Sequence, residues 1–106
     1  MIIYKITNRD NGMVYIGQTR GSLEARWRGH RCEASCKSNH NKGKLHYAIR
    51  ECGAARFTVE QIDIATTKEE ANEKEMYWIG YYDSISNGYN TSPGGRNGAH
   101  YKKVAC

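Results

Sequence analysis

MIIYKITNRDNGMVYIGQT, residues 1–19, decides the fold. Ile2, Ile3, Tyr4, Ile6 and Thr7 form one β-prone run, Val14, Tyr15 and Ile16 a second, and Asn11-Gly12 lies between them. Branched and aromatic residues on either side of Asn-Gly are a strong hairpin signal, because Gly accepts the left-handed backbone that a tight reversal needs. If the connecting loop has an even number of residues, even positions of the first strand share a face with odd positions of the second. Tyr4 then stands on one face with Tyr15, alongside Ile2, Ile6, Met13 and Gly17. An odd loop would separate the two tyrosines.

After the hairpin the hydrophobic period changes. Ser22 is placed to cap a helix running into the Cys32 region, with Leu23, Trp27 and Ala34 toward the core. Arg26 and His30 are four apart and project side by side on a neighbouring face. Gly29 inside this helix costs about 1 kcal/mol against Ala, which suggests a close approach there or a short helix. Cys36 to Lys44 is polar and basic and reads as a loop. Leu45, Ala48, Ile49 and Cys52 give a second helical stripe, which Gly53 ends. Phe57 to Ile64 reads as a third strand whose alternation shifts phase near Gln61, as at a bulge. Thr67 and Glu70 form a capping box for a last long helix, with Ala71, Trp78, Ile79 and Tyr82 on its apolar stripe. Gly88 to Gly98 is turn-rich, and a short basic tail follows. The expected fold class is α+β: a small three-stranded antiparallel sheet flanked by helices in the order β-β-α-α-β-α.

Composition narrows the function. One domain is expected of 106 residues. The chain holds 16 Lys and Arg against 11 Asp and Glu, a formal charge of +5. Residues 1–53 carry a surplus of six positive charges and residues 54–106 a deficit of one, so the first half holds the whole excess. A patch of that sign attracts polyanions, nucleic acid first among them; a basic protein with no such partner is the alternative. No apolar run approaches the ~20 residues of a membrane span, and no signal-peptide pattern opens the chain, so the expectation is a cytoplasmic protein with no membrane partner. Reduced, semi-buried thiols are therefore expected at Cys32, Cys36, Cys52 and Cys106. Cys32, Cys36 and His40 have spacing that a zinc site could use, with His46 or Cys52 to complete it. The second tight pair of ligands that structural zinc usually takes is missing.

Three constellations carry chemistry. Glu75 occupies a core position of the last helix, where a carboxylate loses solvation unless a cation compensates. An ion pair or a partly wetted position would explain it; so would a divalent metal ligand at a cleft edge, Mg²⁺ suiting a single carboxylate. Arg26 and His30 are either a solvated basic face or a phosphate clamp beside a proton-relaying imidazole. Tyr4 and Tyr15 are either packing residues or a pair that orients a water. A phenol of pKa ~10 is a poor base unless cations stabilise its anion.

Taken in order, Ile2-Ile3-Tyr4-Lys5-Ile6, Val14-Tyr15-Ile16-Gly17, Arg26 with His30, Glu75-Met76-Tyr77-Trp78-Ile79 and Gly88-Tyr89-Asn90 resemble the GIY-YIG nucleases. The likeness is strongest to the catalytic domains of intron-encoded and phage homing endonucleases. It covers residues 1 to about 95, leaving 96–106 as a basic polar tail or the start of a linker. The one departure is Ile2 where the first motif has Gly. The resemblance implies a divalent-metal-dependent DNA endonuclease of a bacterial or phage-type host cell. Tyr4 would position or deprotonate the attacking water, Tyr15 would contact the scissile phosphate or assist, Arg26 would stabilise charge on phosphorus, and His30 would share the proton relay. Glu75 would hold one Mg²⁺ or Mn²⁺, and Asn90 would support the site or contact the DNA backbone. Arg28, Arg31, Lys42 and Lys44 are the further DNA-binding candidates, on the first helix and the basic loop. The expected partner is double-stranded or branched DNA, bound by a monomer or a dimer transient on DNA. The competing readings are a structure-specific nuclease of repair or recombination intermediates and a non-catalytic nucleic-acid-binding module.

Overall fold

The computed structural model describes residues 1–35 and 44–91. Two strands open the chain, β1 (Ile2–Asn8) and β2 (Val14–Thr19). They pair antiparallel with Ile6 opposite Tyr15 and Tyr4 opposite Gly17. Because residues directly opposite share a face, the even-loop alternative holds, and Tyr4 and Tyr15 lie on the same side of the sheet. The loop folds on itself: Asn8 N–H donates to Met13 O at 2.9 Å and Gly12 N–H to Asn8 O at 2.8 Å, with Gly12 at φ +76°.

Two helices follow, α1 (Leu23–Ser35) and α2 (Lys44–Cys52). Ser22 caps α1, its Oγ accepting from Ala25 N–H at 3.1 Å. A Cβ on Gly29 would meet nothing closer than an Arg26 terminal nitrogen at 3.7 Å, and α1 runs 13 residues. Neither reason expected for that glycine applies. Lys44 belongs to the first turn of α2, not to the preceding loop. Cys36, His40 and Lys42 lie outside the described residues, as do Cys106 and the 96–106 tail. Gly53, at φ +92°, ends α2, its N–H donating to Ile49 O at 2.9 Å. Cys32 and Cys52 are exposed, where semi-buried thiols were expected; the apolar stripe of α2 is finished by Ile49, one turn earlier.

After a short 3₁₀ turn at Ala54–Arg56, β3 (Phe57–Ile64) adds to the other side of β1, giving the order β2-β1-β3. Its register jumps between Ile3, opposite Asp63, and Tyr4, opposite Gln61. Ile62 is the extra residue, and this bulge is the phase shift seen in the sequence. Helix α3 (Lys68–Tyr82) closes the described fold. Only half of the expected capping box forms. Thr67 Oγ1 accepts from Glu70 N–H at 3.1 Å, but Glu70 Oε1 reaches back to Thr66, not Thr67.

Central strand β1 is covered on both faces, so its side chains sort into two cores. Tyr4 and Ile6 pack with Ala34, Leu45, Ile49, Phe57 and Tyr89 under α1 and α2. Ile3 packs with Ile16, Ala65, Ala71 and Ile79 under α3. Asp63 ties α3 to β3, accepting from Trp78 Nε1 at 2.9 Å and pairing with Lys74 at 3.2 Å. Strand β2 is left as an edge, and the candidate site is built across it.

Candidate active site

Tyr4 is 1 % exposed, and its ring lies across the backbone of β2. A Cβ at Gly17 would fall 2.5 Å from Tyr4 Cζ, and closer still to its hydroxyl. Gly at 17 is therefore the residue that lets the phenol lie flat over the edge strand. Helix α1 meets it there, because Arg26 and His30 lie one turn apart on the helix face turned toward the sheet. Arg26 Nε donates to Tyr4 Oη at 3.2 Å, and His30 Nε2 lies 2.9 Å from the same oxygen. Tyr15 completes the group edge-on to His30, with ring centroids 5.4 Å apart, and tilted against Tyr4 at 6.3 Å.

Arginine can only donate, so Tyr4 Oη accepts from Arg26; its own hydrogen can go to His30 Nε2 when the ring's hydrogen sits on Nδ1. Burial, the Arg26 charge and neighbouring His46 push the His30 pKa down to about 3. Burial pushes Tyr4 up to about 12; Arg26 opposes this, while Glu75 and Glu33 reinforce it. Arg26 is half-buried, yet its pKa is raised: burial works against its charge, but Tyr4, Tyr15 and Glu33 outweigh it. At neutral pH the group is thus a neutral phenol, a neutral imidazole and a fixed cation. The cation does not make Tyr4 a standing phenolate, as the sequence left open; the imidazole nitrogen 2.9 Å away is the acceptor nearest to its hydroxyl.

Glu75 comes from α3, on the opposite face, and reaches the same edge. It is half-buried and its Oε1 accepts from Gln18 Nε2 at 2.7 Å, while the same amide nitrogen lies 3.0 Å from Asn72 Oδ1. Gln18 follows Gly17 directly, so Glu75 and the Tyr4 phenol flank one stretch of β2. One partner of the carboxylate is thus a neutral amide that gathers two oxygen donors. Such hard donors fit Mg²⁺ or Mn²⁺. Sequence reading missed Gln18 and Asn72; Asn72 sits one turn before Glu75, the spacing that places both on one helix face.

Asn90 is 6 % exposed and its amide is committed to protein. Its Oδ1 accepts from Ile16 N–H at 2.8 Å and Ser84 Oγ at 2.7 Å, and its Nδ2 donates to Ile16 O at 3.0 Å. The side chain thereby takes the place of a neighbouring strand beside β2. Of the two roles expected for Asn90, the geometry fits support of the site; direct contact with DNA does not fit an amide buried in this way. Arg28, Arg31 and Lys44 are exposed, Arg31 over the Trp27 ring at 5.9 Å and Lys44 Nζ donating to Ile85 O at 2.9 Å.

A further cluster lies behind His30. His46 Nε2, from α2, is 3.2 Å from His30 Nδ1 and 3.0 Å from Glu33 Oε1. These donor atoms have the spacing of a possible metal site, all within 4.8 Å of one another. In the sequence Glu33 stands three residues after His30, one helical turn on, whereas His46 suggests only a completing ligand for the cysteines.

Comparison with known proteins agrees with this geometry. Residues 1–90 match the GIY-YIG catalytic domain family. Intron-associated endonuclease 1 of Enterobacteria phage T4 is 32 % identical over 94 residues, which span 83 % of this chain and 35 % of that protein. The chain thus spans about a third of this relative's length. Two solved structures of the catalytic domain of the homing endonuclease I-TevI are similar in fold. One, a mutant, has a TM-score of 0.75 at 29 % identity, covering 86 % of this chain and 92 % of that one. The other has a TM-score of 0.70 at 30 % identity, covering 85 % and 96 %. With the motif order, the fold and the two tyrosines over one strand edge all in place, the chain belongs to the GIY-YIG nuclease family.

Proposed function

We propose that this chain is the catalytic module of a divalent-metal-dependent endonuclease that hydrolyses phosphodiester bonds in DNA, in the manner of a homing endonuclease. The observation that carries the reading is the Tyr4 hydroxyl held between Arg26 Nε at 3.2 Å and His30 Nε2 at 2.9 Å. A water attacking phosphorus must lose a proton. Tyr4 Oη and His30 Nε2 stand where that proton can be passed on, and the negative charge of a bound phosphate raises the basicity that burial and Arg26 hold down in the free protein. With its Nε on Tyr4, the Arg26 guanidinium turns its terminal N–H groups to the non-bridging phosphate oxygens and stabilises their growing charge. Tyr15, packed edge-on to His30, orients the phosphate or the water from the same face. Glu75, with the Asn72 oxygen beside it, would hold one Mg²⁺ or Mn²⁺, which supplies Lewis-acid stabilisation of the leaving 3′ oxygen.

DNA is held by the basic face of the first half of the chain. Arg28, Arg31 and Lys44 are exposed around the helices that carry Arg26 and His30, so affinity is largely electrostatic and falls with salt. One site cuts one strand, so duplex cleavage takes two events or a dimer on DNA. The test is conversion of supercoiled plasmid to the nicked form with Mg²⁺. Nicking that is lost with chelator, with Tyr4→Phe and with Arg26→Ala supports the reading; retained nicking in Tyr4→Phe contradicts the relay. A folded protein that binds DNA and leaves plasmid and branched substrates intact would instead make this a binding module.

A further inference from the structure

We propose that His30 Nδ1, Glu33 Oε1 and His46 Nε2 form a second cation site, for a first-row transition ion such as Zn²⁺, separate from the carboxylate site at Glu75. The geometry first sets aside a proton wire. A proton wire through His46 would enter at one ring nitrogen and leave at the other. Instead a single nitrogen, Nε2, faces both neighbours, at 3.2 Å from His30 Nδ1 and 3.0 Å from Glu33 Oε1. Three electron-pair donors converge on one small volume. A hydrogen on His46 Nε2 shared between the other two would fill that volume in one way; a cation bound by all three lone pairs fills it in another.

The spacing and the donor types agree with that occupant. Zinc–nitrogen bonds of ~2.0–2.1 Å at a tetrahedral angle put neighbouring ligand atoms roughly 3.3 Å apart, close to the two separations found here. Two imidazoles and a carboxylate suit a borderline transition ion over Mg²⁺ or Ca²⁺, which take oxygens. His30 and Glu33 are one turn apart on α1, and His46 faces them from α2, so the site is assembled by packing two helices that the fold already holds together. His30 is buried and its other nitrogen is fixed by Tyr4 at 2.9 Å. That contact is the outer-shell bond that orients a ligating histidine. Glu33 is exposed on its far side, which leaves an entry path from solvent.

The consequence for catalysis rests on the preceding functional reading. With Nδ1 given to the ion, the ring's one hydrogen resides on Nε2. His30 then donates to Tyr4 and can no longer accept its proton. Zinc bound here would close the relay while leaving the Glu75 site open.

Titration of the chain with Co²⁺, followed by displacement with Zn²⁺, tests the site. We expect one tightly bound Co²⁺ per chain with strong visible d–d absorption and no thiolate charge-transfer band. Outer-shell changes alone cost roughly 10–100-fold in metal affinity, so Glu33→Gln and His46→Gln, each removing a direct ligand, should weaken binding by at least ~100-fold. Thermal melts establish that both variants fold, and Glu33→Gln alters only a half-exposed surface carboxylate. Glu75→Ala and Cys32→Ser/Cys52→Ser should leave Co²⁺ affinity within about twofold. No visible band at a tenfold excess of Co²⁺ would overturn the site; so would a band that survives both ligand variants or vanishes with the cysteines. In a separate arm, Zn²⁺ should suppress Mg²⁺-supported nicking by the wild type but not by Glu33→Gln. If Co²⁺ binds as expected and Zn²⁺ does not inhibit, the site stands and the role given to His30 in the relay fails.

Discussion

Replacing Gly17 with Ala tests whether the Tyr4 ring must lie on the β2 backbone. Ordinary carbon–carbon contact is ~3.5–4.0 Å, and the added methyl would stand 2.5 Å from Tyr4 Cζ. The ring has to retreat by about 1 Å or more. A retreat of that size breaks the 2.9 Å contact with His30 and the 3.2 Å bond from Arg26. Overpacking a filled site costs ~1–3 kcal/mol, and each of the two strained hydrogen bonds adds ~0.5–1.5 kcal/mol, so a loss of ~2–6 kcal/mol is expected in urea unfolding. Misplacing a reacting group by that distance costs ~100-fold in rate, read as plasmid nicking under conditions where the variant is folded. Gly21→Ala is the control, since nothing lies within 4 Å of a Cβ there; it should change stability by less than ~0.5 kcal/mol. Gly17→Ala with stability within ~0.5 kcal/mol and nicking within twofold of wild type would refute the argument.

Three further outcomes follow from the same contacts. His30 has a native pKa of about 3 against 6.5 in the unfolded chain, so between those values the unfolded state binds a proton that the native state does not. Its contribution is fully present above pH 6.5 and is lost on acidification toward pH 3, at up to ~1.4 kcal/mol per pH unit. Urea titrations at pH 7.5, 5.5 and 4.5 should show a shallower acid loss in His30→Gln, and equal slopes would contradict the assignment. Asn90→Ala strips Ile16 N–H and C=O of their partners at 2.8 and 3.0 Å and should cost ~2–3 kcal/mol; a change below 0.5 kcal/mol would remove the clamp from the account. Thr67→Ala removes the α3 cap accepted at 3.1 Å from Glu70 N–H, with an expected loss of ~1 kcal/mol in the same assay.

The parts of this molecule legible in its sequence are those fixed by local chemistry. Asn11-Gly12 between branched strands announces the hairpin, Ser22 and Thr67 announce two helix starts, and the stumble near Gln61 announces the bulge at Ile62. Tyr4, Arg26, His30 and Glu75 stand out because strand alternation and the helical turn place them on definable faces. The meeting of Tyr4 with Arg26 and His30 was not legible, since it depends on how α1 docks on the sheet and on the space left by Gly17. Asn90 illustrates the same limit. Its position in a motif signals importance, but only the fold reveals that its amide serves as a surrogate strand for Ile16. Gln18, Asn72 and Glu33 carry no signal of their own in the sequence, and His46 suggests only a ligand beside the cysteines, because polar residues gain meaning from tertiary neighbours and none of these belongs to an apolar period.

The central claim is that this edge of β2 is a metal-dependent phosphodiesterase site, and nicking of supercoiled plasmid reaches it most directly. Wild type, Glu75→Ala and Tyr4→Phe are compared with Mg²⁺ and with chelator, each variant first verified as folded and DNA-binding. The account predicts nicking by the wild type with Mg²⁺ alone, and a loss of at least ~100-fold in both variants. Nicking that persists in chelator, or in Glu75→Ala, would contradict it.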